Sequence, residues 1–357
     1  MRYISSPDFQ HDGAERIGVL LVNSGTPDSL SVRDVRRFLA GLLGDPRVVE
    51  LPRLLWLPLL HGLILRTRPR RSARKYARIW TGDGSPLAAI SRELRVALAG
   101  TLAQRVLAPF SIELGMLYAR PSVSEALTRL RESGAQRILV VPLFPQYCGA
   151  STGAVYDQVS AELARWRWLP ELRFIAEYHD YPPYIEALRS SVEREWRLHG
   201  RTRHLLMSFH GVPERTFQRG DPYYCKCQKT ARLLADELML EENAWSVAFQ
   251  SRFGAARWLQ PYTSEVLEQL PASGIDDVTV ICPGFAIDCL ETLEEIDIEN
   301  RQRFLAAGGR KFLYVPSLNA SAQHAALLAE LIAQHCQGWT HIELGFRPAG
   351  AARGASA

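Results

Sequence analysis

The sequence lacks the features that mark membrane-spanning and nucleic-acid-binding proteins. Its prominent apolar stretch, residues 54–65, is interrupted by Pro58 and His61 and falls short of the roughly 20 residues that a membrane span needs. The net charge of +4 over 357 residues is far from the concentrated basic surface that is typical of nucleic-acid binders. We therefore expect neither a transmembrane helix nor a nucleic-acid partner.

Cysteine is scarce and scattered. The cysteines are Cys148, Cys225, Cys227, Cys282, Cys289 and Cys336. An iron-sulfur cluster needs four thiolates at compact spacing, and just one pair in this set is close, so no cluster is predicted. Residues 1–16 also lack the apolar core of a secretory signal. We expect a cytoplasmic protein whose thiols stay reduced.

The sequence has no fingerprint of a nucleotide-binding protein. The loop after the first predicted strand, residues 23–27, does not follow the G-x-G-x-x-G spacing. Pro27 in that loop removes a backbone donor that a phosphate would need. The sequence therefore favours an organic ligand that has this loop as one wall of its site, rather than a dinucleotide.

Hydrophobic periodicity predicts eight strands that alternate with helices. The strand-like runs are residues 17–24, 112–118, 137–144, 172–178, 204–210, 245–251, 277–283 and 311–315. Helices between the strands indicate parallel sheets that are covered on both faces, and the length exceeds the usual limit of about 250–300 residues for one core.

These patterns predict an α/β protein of two Rossmann-like, doubly wound lobes, each with a four-stranded parallel sheet flanked by helices. We place the first lobe at residues 14–180 and the second at residues 181–319, with the junction near Pro182. Residues 338–357 are predicted to form a disordered tail, because the end of the sequence, residues 347–357, is small and polar.

An acidic helix follows the seventh predicted strand. Glu291, Glu295 and Glu299 stand at i, i+4 and i+8, and like charges four apart on a helix repel. Ligands of open parallel sheets bind just past the carboxyl ends of the strands, where this helix begins, so the carboxylates point to a site. The alternative is a solvated acidic face, with Glu291 and Glu294 complementing the positive end of the helix dipole.

His210 ends the fifth predicted strand, just before a turn at residues 211–213. A lone histidine at such a place is commonly a hydrogen-bonded structural residue. Opposite a carboxylate it becomes a candidate metal ligand, because imidazole nitrogen and carboxylate oxygen suit a borderline divalent ion such as Fe²⁺. Two ligands leave most coordination positions open, so such a site can pass its metal on.

Residues 54–78 combine the apolar stretch with a basic flank. The cations of this flank are Arg66, Arg68, Arg70, Arg71, Arg74, Lys75 and Arg78. Apolar surface beside cations suits an anionic membrane face or a large flat ligand with two carboxylates. The alternative is a buried helix with a solvated end.

Six segments resemble ferrochelatases in sequence, order and spacing. They are residues 20–39, 76–87, 142–147, 208–223, 249–263 and 282–296, and the resemblance extends over about residues 17–335. It implies two Rossmann-type lobes with a porphyrin cleft between them. It also implies a cleft lip at about residues 54–80 and a last helix, within residues 320–337, that packs back on the first lobe.

The activity that this resemblance implies is that of a lyase that inserts Fe²⁺ into protoporphyrin IX, the last step of haem biosynthesis. His210 would accept protons, bind the metal, or both, and Glu291 would face it across the cleft. Glu295 and Glu299 would continue a path for protons or hydrated Fe²⁺. The predicted porphyrin contacts are Ser24, Arg68, Tyr76 and Ser85.

Three other functions stay open at this point: a coproporphyrin ferrochelatase, a porphyrin or haem carrier without chemistry, and a cobalt-inserting chelatase. The last is less supported, because Cys289 and Leu290 rather than a histidine precede Glu291. Beyond the substrate iron we expect no cofactor, and the lip predicts a weak peripheral contact with membranes.

Overall fold

The computed structural model describes residues 3–4, 16–106, 108–254 and 256–339. Its strands form two four-stranded sheets in which all neighbouring strands are parallel. They are β1 (Arg16–Asn23), β2 (Phe110–Met116), β3 (Ala135–Pro142), β4 (Glu171–Phe174), β5 (His204–His210), β6 (Trp245–Gln250), β7 (Asp277–Ile281) and β8 (Lys311–Val315). The predicted fold class, two doubly wound parallel sheets flanked by helices, is confirmed.

Helices connect the strands and cover the sheets. The α-helices of the described residues are α1 (Val32–Gly44), α2 (Arg53–Leu59), α3 (Leu65–Ala77), α4 (Pro86–Leu102), α5 (Val123–Glu132), α6 (Ala154–Leu163), α7 (Pro182–His199), α8 (Glu214–Gln218), α9 (Tyr223–Glu237), α10 (Thr263–Gln269), α11 (Arg301–Ala306) and α12 (Ala322–His335). Helix α5 begins with a capping box formed by Ser122 and Glu125.

Both sheets have the same strand order, β2-β1-β3-β4 in the first and β6-β5-β7-β8 in the second. In each sheet the winding reverses between two neighbouring strands, β1 and β3 in one and β5 and β7 in the other. Such a switch point opens a crevice at the carboxyl ends of the strands, which is the usual ligand site of this architecture.

The core continues from one sheet to the other. One buried cluster includes Val141 of β3, Met207 of β5 and Leu328 of α12. Helix α12 packs against α4 and α7, so the end of the described chain contacts the helix that precedes β2. Burial of parallel strands on both faces explains why their sequences are nearly continuous apolar runs.

The segment between α1 and α4 is helical, and much of its apolar surface is exposed. Helix α2 continues through a short π-helix, Leu60–Ile64, into α3. The side chains of Leu54 and Leu55 are 91% and 74% exposed, which contradicts the alternative of a buried helix. No helix in the part of the chain that the structure describes is both long and apolar enough to span a bilayer.

The acidic helix after β7 is a π-helix, Leu290–Asn300. Its start is fixed by Thr292, whose Oγ1 accepts a hydrogen bond from the backbone N–H of Cys289 at 2.9 Å. A π-helix has i→i+5 hydrogen bonds, is rare, and is frequent at functional sites when it does occur. The predicted tail, residues 338–357, falls outside the described residues from position 340 onward, as does the start of the first lobe at residues 14–15.

Candidate active site

A cavity of about 1150 Å³ lies between the two switch points. Its walls include the loop after β1 at residues 23–26, the segment after β3 at residues 143–151, the end of β5 at residues 210–212, and the segment after β7 at residues 284–291. This volume includes the open space at the mouth of the cleft. The walls come from the carboxyl ends of strands in both lobes, which is where ligands of this architecture bind.

His210 lies in this cavity with one ring nitrogen already engaged. Its Nδ1 is 2.6 Å from the carbonyl oxygen of Gly211, and because a carbonyl accepts, Nδ1 must carry the proton. The neutral ring then has its lone pair on Nε2. The rings of Trp258 and Phe285 flank the imidazole at centroid distances of 6.5 Å and 6.3 Å. The arrangement leaves Nε2 as a base or a metal ligand.

Glu291 lies in the same cavity, at the start of the π-helix. Its backbone oxygen accepts a hydrogen bond from Gln250 Nε2 at 2.8 Å, and Gln250 Oε1 accepts one from Ser208 Oγ at 2.7 Å. These bonds join the π-helix to β5 and β6. The neighbouring thiol of Cys289 is buried, and burial together with the charge of Glu291 raises its pKa well above the ordinary value, so Cys289 stays a thiol.

Glu295 follows one step further along the π-helix. Its carboxylate accepts hydrogen bonds from the backbone N–H and the hydroxyl of Ser251, at 2.7 Å and 2.6 Å. Burial raises the pKa of Glu295, while these bonds and the nearby His210 act in the opposite direction. Since the charge of Glu291 also acts on it, Glu295 lies within electrostatic reach of both predicted catalytic residues.

Glu299 is held by two cations. Lys75 Nζ is 2.7 Å from Oε2 and Arg303 Nη2 is 3.2 Å from Oε1. Burial would raise the pKa of Glu299, but Lys75 and Arg303 outweigh it and lower the pKa. Glu295 and Glu299 line a second, polar pocket of about 590 Å³. The three predicted carboxylates are thus divided between two spaces, with Glu291 in the main cavity.

Three of the four predicted ligand contacts line the main cavity: Ser24, Tyr76 and Ser85. Thr26 Oγ1 donates to Ser85 Oγ at 2.8 Å. Burial raises the pKa of Tyr76 well above its ordinary value, and Glu291 adds to the effect. Its hydroxyl is therefore protonated throughout the physiological range and can donate a hydrogen bond.

Arg68, the fourth predicted contact, is not among the residues that line this cavity. Its guanidinium lies over the ring of Phe253, 5.1 Å from the ring centroid. Burial lowers the pKa of Arg68, and the charge of Glu291 opposes this effect. The guanidinium of Arg68 is therefore close enough to the carboxylate of Glu291 for an electrostatic interaction.

Several residues of the site were not among those predicted. Tyr223, Phe285 and Ile287 line the cavity, and Glu294, which the sequence would allow at a solvated helix start, is buried between Lys75 and Arg78. The sequence does show Lys75 and Arg78 three positions apart in the lip, and Glu294 within the acidic helix. It does not show that these cations and this carboxylate form ion pairs.

Within residues 16–106, 108–254 and 256–339, no three histidine, cysteine, aspartate or glutamate side chains come together to form a metal-holding group. His210 and Glu291 line one cavity, but no third protein ligand of these types joins them to complete such a group.

The fold and the site define a chelatase-type α/β protein. The solved sirohydrochlorin chelatase of Bacillus subtilis subspecies spizizenii, determined in complex with cobalt, superposes with a TM-score of 0.51, covering 90% of this chain and 97% of that chain at 13% identity. A multi-domain protein of Deinococcus radiodurans with structural similarity to chelatases gives a TM-score of 0.52, covering 92% of this chain and 56% of that one at 12% identity. Identity this low shows the fold alone.

Sequence comparison is more specific. The ferrochelatase family model matches residues 16–336. The ferrochelatase of Nitrosococcus oceani is 51% identical over 345 residues, 97% of this chain and 94% of that protein, and that of Methylibium petroleiphilum is 52% identical over 339 residues, 95% and 93%. The chain belongs to the ferrochelatase family.

Proposed function

We propose that this chain inserts Fe²⁺ into protoporphyrin IX as a lyase of haem biosynthesis. The observation that carries the proposal is that His210 and Glu291 line one cavity of about 1150 Å³ between the lobes. His210 supplies this cavity with an imidazole that can act as a base, and Glu291 supplies it with a carboxylate. Family membership supports iron and a porphyrin as the substrates.

Metallation sets two requirements for the protein. A free-base porphyrin keeps two protons on its inner nitrogens, and in a planar ring the nitrogen lone pairs point inward, which resists a metal that arrives from above. A cavity complementary to a bent ring would spend binding energy from the ring edge on that distortion, which is catalysis by differential binding.

His210 is our proposed proton acceptor and iron ligand. The hydrogen bond between Nδ1 and Gly211 fixes the tautomer that presents the Nε2 lone pair, which is the form that both roles need. The protein offers no third ligand beside His210 and Glu291 in the described residues. The porphyrin nitrogens can therefore supply the remaining ligands, and an ion with few protein ligands is free to move into the ring.

Glu295 and Glu299 continue from Glu291 along the π-helix as a path for protons or hydrated Fe²⁺. The raised pKa of Glu295 brings its titration nearer to neutral pH, which suits a group that passes protons. The charge of Glu299 is compensated by Lys75 and Arg303. We therefore assign Glu299 to the outer end of this path, where its loss would affect turnover least.

The porphyrin is proposed to lie against Ser24, Tyr76 and Ser85 on the wall of the first lobe. Arg68 is our candidate for a carboxylate of the ring edge, because a guanidinium binds carboxylates well and its stacking on Phe253 holds it near the cavity. Protoporphyrin IX carries two such groups.

The exposed leucines and cations of the lip support a weak contact with anionic membranes, from the cytoplasm. The closest pair of cysteines supports catalysis without an iron-sulfur cluster, because Cys225 is exposed while Cys227 is buried in the same helix and the two thiols do not share a face. Iron is then a substrate and not a resident cofactor.

Steady-state metallation rates with two porphyrins test the proposal. We expect kcat/KM for protoporphyrin IX to exceed that for coproporphyrin by at least about tenfold, or about 1.4 kcal/mol in transition-state binding, because coproporphyrin carries further carboxylates into a cavity with apolar walls. A preference for coproporphyrin would overturn the substrate assignment. Binding of both porphyrins without metallation would indicate a carrier.

A further inference from the structure

Glu294 is a buried carboxylate that the proposed reaction does not use. Its side chain is 1% exposed, and it is not among the residues that line the main cavity. Arg78 Nη1 donates to its Oε1 at 2.8 Å. Lys75 Nζ lies 3.0 Å from Oε2, an oxygen without a well-aligned hydrogen bond, so this second contact is an ion pair.

These ion pairs join two opposite parts of the site. Lys75 is near the end of α3, beside Tyr76 of the cavity wall, and Arg78 follows that helix directly. Glu294 lies in the π-helix between Glu291 and Glu295. Helix α3 packs against the π-helix, so the charges connect the lip to the helix that carries the reacting carboxylate.

The connection extends outward through a second carboxylate. Lys75 Nζ is also 2.7 Å from Glu299, and Arg303 bridges Glu299 at 3.2 Å and Glu268 at 3.0 Å. Burial would lower the pKa of Lys75, but its contacts with Glu299 and Glu294 raise it. The amine therefore stays charged and keeps both contacts.

A buried carboxylate is tolerated when cations compensate its charge. Loss of one of these cations leaves an uncompensated charge in the protein interior, which is unfavourable. Movement of α3 away from the π-helix would take both cations from Glu294 together. The arrangement consequently favours one position of α3, although ion pairs of this kind add little to overall stability.

We propose that Glu294 is a positioning residue. With Lys75 and Arg78 it forms a latch that holds α3 on the π-helix and so fixes the spacing between Tyr76 and Glu291 across the cavity. The kinetic part of this proposal rests on the proposed iron insertion, whereas the structural part does not.

Hydrogen–deuterium exchange of the porphyrin-free protein tests the latch directly. Glu294→Gln should speed exchange in residues 65–78 by at least about tenfold, because this helix would open locally. The matched control is Glu162→Gln, a buried carboxylate of α6 that accepts hydrogen bonds from Ser124, Arg165 and Trp166. The control should leave exchange in residues 65–78 unchanged.

Steady-state kinetics test whether loss of the latch slows iron insertion. Glu294→Gln and Lys75→Met should each lower kcat by about tenfold or more with a smaller change in KM for iron, while Lys75→Arg, which keeps the charge, should retain most of the activity. Lys75 is partly exposed, so its variants keep the test usable if Glu294→Gln does not fold.

Exchange in residues 65–78 that stays at the wild-type rate in Glu294→Gln and Lys75→Met, with kcat within twofold of wild type, would overturn the proposal. An equal loss of kcat in Glu162→Gln would also overturn it, because the effect would then follow any buried carboxylate. If the wild-type enzyme inserts no iron, the proposed function fails, and the exchange result still decides whether the latch exists.

Discussion

His210 and Glu291 line one cavity although 80 positions of the sequence separate them. His210 is the last residue of β5, and Glu291 lies in the first turn of the π-helix that follows β7, the strand next to β5. Adjacent parallel strands present their carboxyl ends at the same edge. The sheet therefore brings a base and a carboxylate together at the switch point of the second lobe.

Replacement of the carboxylates one at a time should produce graded effects. Glu291→Gln should remove nearly all activity, because this side chain is in the main cavity. Glu295→Gln should slow turnover or raise the KM for iron, and Glu299→Gln, whose charge is compensated by Lys75 and Arg303, should have the mildest effect. Initial rates over a range of iron concentrations measure this order. Equal losses of activity in all three variants would mean that the carboxylates act through their summed negative charge and not through separate roles.

Contact with anionic membranes is expected at the lip. Leu54 and Leu55 of α2 are exposed, and Arg70, Arg71 and Arg74 of α3 in the same helical segment are exposed as well. Each cation near an anionic surface contributes about 1 kcal/mol, screened by salt. Co-sedimentation with anionic vesicles should therefore occur at low ionic strength, fade at high ionic strength, and disappear when the three arginines become glutamine.

The control for this experiment is a variant with the same change in net charge elsewhere. Arg194, Arg197 and Arg201 are exposed around the end of α7, and their replacement by glutamine should leave vesicle binding intact. Binding that does not respond to salt would indicate insertion of the leucines. No binding at any ionic strength would assign the patch to a ligand carboxylate or to a solvated helix end.

Acid should destabilise the protein through His324. This residue of α12 is fully buried, and burial lowers its pKa to about 4 from an ordinary 6.5. The unfolded chain binds a proton near pH 6.5 and the folded chain near pH 4, so stability is lost as the pH falls through this window. At pH 4.5 the loss is about 2–3 kcal/mol.

Urea unfolding at pH 7 and pH 4.5 measures this effect. His324→Gln should lower stability at pH 7 and should reduce the difference between the two pH values by about 2–3 kcal/mol. His199→Gln, a change at an exposed histidine at the end of α7, should retain the wild-type difference. If His324→Gln kept the full pH dependence, the acid sensitivity would come from other groups.

The fold could be predicted well because buried parallel strands leave a strong local pattern. The predicted starts and ends lie within one or two residues of the observed ones for seven of the strands. The exception is β4, which ends at Phe174 rather than at residue 178. Residues 175 and 178 are buried, so their apolar character reflects core packing and not sheet pairing.

The details of the site were harder to predict. The spacing of Glu291, Glu295 and Glu299 indicates a helix but does not distinguish an α-helix from a π-helix, because the difference lies in backbone hydrogen bonds. Burial of Glu294 depends on cations that are more than 200 residues away in sequence. Pairing between distant elements leaves no periodic signal, and for this reason sequence analysis identified the acidic stripe but not its division between two pockets.

Anaerobic metallation by the porphyrin-loaded enzyme tests the central claim most directly. Protoporphyrin IX is bound first, its fluorescence measures binding, and the haem spectrum is followed after addition of Fe²⁺. His210→Ala should bind the porphyrin about as well as wild type, because cavity area rather than one imidazole holds the ring, but should retain less than about a tenth of the rate. Retention of more than about a tenth of the wild-type rate, a barrier change of less than about 1.4 kcal/mol, would contradict the assignment of His210.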